Sequence, residues 1–221
     1  MSGGLGPDSR IHSLLSWTGS LVAANAVAFV STFTVIGAGP GQLLCSLVGL
    51  DLVRGGPGRL GAALSRLRSP VVLPAVLLAI GEGALALLLG WEWLVVGALA
   101  SLTMQILARA LILFVAFVLA LTHVWLWPIL AARVMDGVVT GVGDVPTLLA
   151  HALLLSVASL PRSVGACLVL VAPLVAALAS LQWAAWVIFW YLSIGISFGA
   201  YAGVLAARLR VAPDIPPEAD E

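Results

Sequence analysis

The sequence predicts an all-α protein: a polytopic transmembrane helix bundle of about five spans, with two amphipathic regions at the cytoplasmic surface. The first observation is composition, because 62% of the 221 residues are hydrophobic and only 9% are charged. Soluble domains are usually about a quarter charged, and a soluble fold of this composition would expose apolar patches large enough to aggregate. The second observation is spacing, since the charged residues are separated by apolar runs of about 20 residues, the length that crosses a bilayer.

Charge and motifs limit the function classes. The formal net charge is +0, which gives no basic field that favours nucleic acid as a partner. Phosphate-binding loops and nucleophile elbows, which need glycines at fixed spacing, are absent. Cys45 and Cys167 lie in apolar runs without metal-ligand spacing. We therefore expect a protein that is not an enzyme, has no cofactor or metal, and has the lipid bilayer as its main partner.

The predicted spans follow from the apolar runs and from the residues that interrupt them. The Gly-Ala-Gly-Pro-Gly run at 37–41 favours a turn after the first span, because proline lacks an amide proton and glycine suits turns. The five predicted spans are 14–36, 71–89, 107–132, 164–179 and 186–205.

Two stretches between the spans are predicted to lie at the cytoplasmic surface. Segment 42–68 repeats leucines at helical spacing and contains four arginines, which can reach lipid phosphates. Segment 147–159 is a second apolar helix between prolines. Residues 1–210 then form a single transmembrane domain, and the acidic, proline-rich tail 211–221 is predicted to be disordered.

Residues 94–108 leave the number of spans ambiguous. They either re-enter the membrane or extend the third helix, or they form a separate sixth span. Positively charged residues concentrate in cytoplasmic loops, and five spans place most arginines there, with an outside N-terminus and a cytoplasmic C-terminus in the plasma membrane. The cytoplasmic arginines are then Arg54, Arg59, Arg66, Arg68, Arg133, Arg162, Arg208 and Arg210.

Four polar residues within the predicted spans are candidates for substrate binding, because an ionisable group in the bilayer is costly and marks function. Glu82 lies near the middle of the second span, and Arg109 near the outer end of the third. If these spans are antiparallel neighbours, the two side chains could pair. His123 follows Arg109 by four helical turns, so both share a face, and Asn25 could hydrogen-bond between helices.

Glycines repeat at four-residue spacing in the fifth span. Gly195, Gly199 and Gly203 would let a neighbouring helix approach closely. We expect this face to be a packing seam, either within the chain or in a homo-oligomer.

The order of several short motifs resembles the YesL-like family of bacterial integral membrane proteins. The motifs are LSWTG at 15–19, IGAGP at 36–40, WPILAAR at 127–133, LPR at 160–162 and RLR at 208–210. Members of this family are commonly encoded beside carbohydrate ABC importers, so the resemblance implies an accessory or regulatory subunit with importer proteins as partners. The segment around 94–108 is longer than the family pattern.

Two function classes follow. The first is an accessory membrane subunit linked to carbohydrate uptake by an ABC importer. The second is a solute-binding transporter module, similar to a substrate-capture subunit, with a mid-membrane site near Glu82, Asn25 and Arg109. A polar cavity in the membrane would favour the second class, and a solid apolar core with exposed cytoplasmic helices would favour the first.

Overall fold

The computed structural model describes residues 10–67 and 70–212, and in these ranges the protein is all-α. The α-helices are α1 Arg10–Thr32, α2 Val35–Val53, α3 Leu60–Arg66, α4 Val72–Val96, α5 Leu102–Met135, α6 Val145–Ala158, α7 Leu160–Ala177, α8 Leu181–Trp190 and α9 Ile196–Val211. A π-helical segment, Tyr191–Gly195, joins α8 to α9. Six helical stretches are long and apolar enough to cross a membrane, which confirms the predicted fold class.

The first correction concerns α2, which was predicted to be a turn followed by a surface helix. The turn between α1 and α2 lies at 33–34 instead, where the Thr34 hydroxyl accepts a hydrogen bond from the amide of Gly37. The glycines at 37–41 are inside the helix because they allow close packing. Gly39 faces the backbone of Ala75 on α4, and Gly41 faces Ala28 on α1.

The second half of α2 is the most continuously buried part of the bundle. Every residue from 43 to 50 is buried, among α1, α4, α5 and α9. A helix that is apolar on all faces belongs in a core rather than at a surface, so the prediction of a surface helix at 42–53 is wrong. Helix α2 is a membrane-length helix that the sequence analysis did not count as a span. The described chain therefore has six such helices, where five spans were predicted.

The ambiguous segment 94–108 is divided between two helices. Its first residues end α4, its last residues begin α5, and a short link at 97–101 connects them. The hydroxyl of Ser101 caps α5 by accepting a hydrogen bond from the amide of Met104. Helix α5 has 34 residues and is therefore about 51 Å long. Residues 102–108 thus extend the third predicted span at its N-terminal end, as one alternative held, and 94–96 belong to α4.

The helix predicted at 147–159 is confirmed as α6. It buries Leu148, Ala152 and Ser156, one residue per turn, and packs along α5. A chain of hydrogen bonds ties it to its neighbours: the Trp125 indole donates to the Ser163 hydroxyl at 2.7 Å, which donates to the Ser156 carbonyl at 2.8 Å. Helices α5, α6 and α7 therefore pack as one unit.

The ends of three helices meet at a single arginine. Arg54, which follows α2, donates to the Asp136 carboxylate after α5 and to the Val211 carbonyl at the end of α9. The beginning of α1 lies toward the same end, because α1 is antiparallel to α2 and the Ser20 hydroxyl donates to the Pro57 carbonyl. The described chain thus begins and ends at one end of the bundle. Six helices in the described chain are long enough to cross a membrane, and an even number of crossings would put both described ends on one side, whereas five spans predict opposite sides.

Parts of the remaining predictions fall on residues that the structure does not describe. Arg68, counted among the cytoplasmic arginines, and the predicted disordered tail from 213 onward lie outside the described residues.

Candidate binding cavity within the helix bundle

A cavity of about 720 Å³ lies between α2, α4, α5 and α7, with Tyr191 also in its wall. Small residues on α4 create the space. Ala79, Gly83, Ala86 and Gly90 recur at intervals of three to four residues and line the cavity, so they share one face of the helix. A Cβ atom placed at Gly83 or Gly90 would meet no heavy atom within 4 Å. The cavity therefore depends on the absence of side chains along this stripe.

Four polar side chains in the cavity wall form a connected cluster. Glu82 Oε2 lies 3.0 Å from His123 Nδ1. The Trp127 indole N–H lies within reach of both, 3.2 Å from Glu82 Oε2 and 3.1 Å from His123 Nδ1. On the other side of the imidazole, Gln42 Nε2 lies 3.4 Å from His123 Nε2. We call Gln42, Glu82, His123 and Trp127 the polar cluster.

Helix geometry explains how these residues meet. His123 and Trp127 are four residues apart on α5 and therefore share a face. Helix α4 brings Glu82 to that face, and α2 brings Gln42. The side chains of Glu82 and His123 are 17% and 30% exposed, so the carboxylate and the imidazole lie away from most of the surrounding medium.

The hydrogen bonds of the polar cluster admit two positions for one proton. If His123 Nδ1 carries it, the imidazole donates to Glu82 Oε2. If Glu82 Oε2 carries it, the carboxyl group donates to His123 Nδ1. The Trp127 indole can only donate, and it has an acceptor in either case. The buried oxygen Glu82 Oε1 has no hydrogen-bond partner in the described structure.

Arg109 does not join Glu82, which corrects the predicted pair. Its guanidinium stacks on the ring of Trp93, 5.0 Å from the centroid. Trp93 is eleven residues beyond Glu82 on α4, about 16 Å along the helix. Arg109 and His123 both contact α4, so the prediction that they share a face of α5 is confirmed, but they contact α4 at different heights.

Asn25 also lies apart from the polar cluster. Its amide donates to the carbonyls of Tyr191 and Leu192, both at 2.9 Å, and accepts from the amides of Ile196 and Ser197. In an α-helix the Ile196 amide would donate to the Leu192 carbonyl. Asn25 bridges these two groups and holds the π-helical segment, which positions Tyr191 in the cavity wall.

The glycine positions of the last span face other helices of the same chain. Gly203 packs against the Val124 carbonyl on α5, where an added Cβ would lie 2.9 Å from the oxygen. Gly199 faces Leu170 on α7, while Gly195 lies within the π-helical segment against Trp190. The surface of Gly199 and Gly203 is thus occupied by contacts within the chain.

Sequence reasoning missed two members of the polar cluster. Gln42 lay in the predicted surface segment 42–68, and Trp127 was named only as part of the WPILAAR motif at 127–133. The signal for Gln42 was its position as an isolated amide at the start of a long apolar run. The signal for Trp127 was its four-residue spacing from His123.

The cavity wall brings together one acidic and one basic side chain, Glu82 and His123. Within the described ranges, no three side chains of the His, Cys, Asp and Glu types come together as metal ligands would. The wall is mainly apolar, and His123 and Trp127 are the polar side chains in it that contact Glu82.

Comparison with family models, curated proteins and solved structures found no match for this chain. The resemblance to the YesL-like family therefore stays a prediction. The helices themselves show a multi-pass membrane protein by their length and hydropathy.

Proposed function

We propose that this protein is a non-catalytic, solute-binding membrane module that holds an amphipathic small molecule in the cavity beside Glu82. One observation carries the proposal: an apolar cavity of about 720 Å³ meets the polar cluster at a single place in its wall. Sites for small molecules typically have volumes of about 300–1,000 Å³ and a few convergent polar groups. An ionisable residue inside a membrane bundle is a functional candidate by default.

We also propose an orientation in which the Arg54 end of the bundle faces the cytoplasm. Arginines are found at that end in the link after α2 and at the ends of α3, α5 and α9: Arg54, Arg59, Arg66, Arg133, Arg208 and Arg210. Arg109, stacked on Trp93, lies toward the other end. The bias of arginine toward cytoplasmic segments supports this orientation, which places the links 33–34, 97–101 and 178–180 outside.

The accessory role beside a carbohydrate importer is the second candidate, supported by the outer face of α6. This helix leaves Leu149, Leu153, Leu154 and Val157 exposed, and a partner subunit could cover such a face. Co-purification of importer subunits with the protein from its native membrane would support this role, and their loss on Leu154→Glu would locate the contact. The cavity favours solute binding, since an accessory subunit needs no such space.

A pair of tryptophan substitutions tests solute binding. Ala86→Trp fills the cavity, whereas Leu87→Trp adds a similar side chain at a neighbouring position that is 78% exposed and outside the cavity wall. Purified full-length protein would be screened by thermal shift against neutral, cationic and anionic amphipathic compounds. We expect at least one class to stabilise the unsubstituted protein and Leu87→Trp, but not Ala86→Trp. Binding that survives Ala86→Trp would overturn the proposal.

A further inference from the structure

We infer that the solute is an amphipathic organic cation with an N–H donor, and that its binding releases one proton from the Glu82–His123 pair. This inference rests on the proposed function and names the substrate class for the same cavity. It is carried by the unpaired oxygen of Glu82, by the aromatic side chains around it and by the charge balance of the polar cluster.

Only one oxygen of the Glu82 carboxylate has hydrogen-bond partners in the described structure. Both His123 and Trp127 approach Oε2, while Oε1 is buried without a partner in the described structure. An ionised carboxylate accepts hydrogen bonds on both oxygens, and a buried unpaired polar atom is costly. The terminal torsion of a glutamate is soft, so a small rotation can turn Oε1 toward a donor in the cavity. An N–H group of a cationic ligand supplies that donor.

The sign of the ligand follows from which charged group lines the cavity. Glu82 lines it and Arg109 does not. The Arg109 guanidinium stacks on Trp93, a cavity-lining residue about 16 Å from Glu82 along α4. Trp127 and Tyr191 also line the wall, and aromatic faces attract cations. An anion in the same place would meet the carboxylate without a compensating charge. The remaining wall is apolar and fits the hydrocarbon part of the ligand.

Charge balance sets the proton count. In the free protein one proton shared by Glu82 and His123 keeps the pair neutral overall, since an uncompensated charge in an apolar interior is costly. When a monovalent cation binds Glu82, it supplies the positive charge, and the shared proton leaves to bulk water. His123 is then neutral, Glu82 is ionised, and the net charge of the cavity is unchanged.

The surroundings of the pair accommodate both states. Helix α2 presents Gln42, whose amide can offer either its oxygen to a protonated His123 Nε2 or its NH₂ group to a neutral one. Helix α7 presents only apolar residues to the cavity: Leu170, Val171 and Leu174. Tyr191 is the other titratable group in the wall, and its hydroxyl donates to the Leu170 carbonyl at 2.8 Å. Glu82 and His123 are therefore the groups that exchange the proton.

The test uses ethidium, an aromatic cation with amino N–H donors, and anilinonaphthalene sulfonate, an aromatic anion. Binding of each to the full-length protein in detergent micelles is followed by fluorescence. Proton release is measured in weakly buffered solution with a pH indicator. We expect one proton per bound ethidium. Because the proton and the cation compete, the affinity should rise about tenfold per pH unit while the free pair holds its proton.

Two glutamate substitutions on one helix provide the matched control. Glu82→Gln should weaken ethidium binding by at least about tenfold and remove its pH dependence, because the carboxylate is lost while the shape is kept. Glu92→Gln, on the same helix but outside the cavity wall, should leave both unchanged. If Glu82→Gln does not fold, the proton count on the unsubstituted protein still decides.

The outcomes separate this inference from the proposed function. Ethidium binding without proton release would overturn the proton exchange. Binding of the anion, or of neutral compounds alone, in a manner that Ala86→Trp blocks would overturn the cation class and leave the proposed function standing. If Ala86→Trp blocks no compound, both fall.

Discussion

Asn25 uses its full hydrogen-bonding capacity on one short segment of backbone. Its two N–H groups and its oxygen satisfy four backbone groups of the π-helical segment and of the first turn of α9. Such π-helical insertions are often found at functional sites, and this one sets the position of Tyr191 in the cavity wall. A residue outside the cavity therefore shapes it.

We expect Asn25→Ala to destabilise the protein by about 3 kcal/mol, because it leaves buried backbone groups without partners. Gln105→Ala is the matched control, since Gln105 donates only to the nearby Leu99 carbonyl on a short link. Unfolding of both variants in mixed micelles would be compared. Equal losses of stability would contradict the role assigned to Asn25.

At the residue scale the sequence singled out isolated polar residues but did not predict their partners. Glu82, His123, Arg109 and Asn25 stand out because polar groups are rare in apolar runs. The partners could not be predicted, because they depend on the relative heights of helices. Because the sequence analysis placed residues 42–68 at the surface, Gln42 was not considered as a partner. Arg109 contacts α4 about three helical turns away from Glu82, so the two do not pair.

Helix α2 shows how packing overrides local sequence preference. The run at 37–41 has the composition of a turn, yet it is helical because its small residues let the backbones of α1 and α4 approach. Proline is tolerated in membrane helices, where neighbouring groups satisfy the freed backbone. Periodicity and composition could predict the other long helices, whose apolar runs lack such punctuation. They could not distinguish a turn from a tight helix crossing.

Close approach of α9 to α5 gives a prediction about elements. An added methyl group in Gly203→Ala would lie 2.9 Å from the Val124 carbonyl oxygen, and we expect a loss of about 1–3 kcal/mol from the resulting strain. Gly165→Ala, in α7, meets no atom within 4 Å and should be neutral or stabilise by up to about 1 kcal/mol. Thermal unfolding of the two variants checks this. A stable Gly203→Ala protein would contradict the close crossing.

The whole molecule has both described ends of the chain at one end of the bundle, near Arg54. Once the side of the membrane that the Arg54 end faces is known, the six membrane-length helices fix the side of every link between them. The arginine bias could be read from the sequence, but it gave an outside N-terminus because the sequence count omitted α2. In the orientation proposed above, counting α2 as a span moves the beginning of α1 to the cytoplasmic side and leaves the later helices as predicted.

Single cysteines test the orientation in intact cells with a membrane-impermeant maleimide. We expect Leu99→Cys to be labelled from outside, because residue 99 lies in the link 97–101 and is 41% exposed. Ile11→Cys and Pro57→Cys should react only after permeabilisation. The native Cys45 and Cys167 are buried and serve as the unreactive background. Labelling of Ile11→Cys in intact cells would place the beginning of α1 outside, as the five-span arrangement predicts.

The glycines that open the cavity have a consequence for how ligand choice could diverge. A side chain added at Gly83 or Gly90 enters empty space, so each change would reduce the room for a ligand without touching the polar cluster. Alanine, serine and valine at these two positions would give a graded size filter. The site for the charged group of the ligand and the space for its apolar part could then change independently, because different residues of α4 form them.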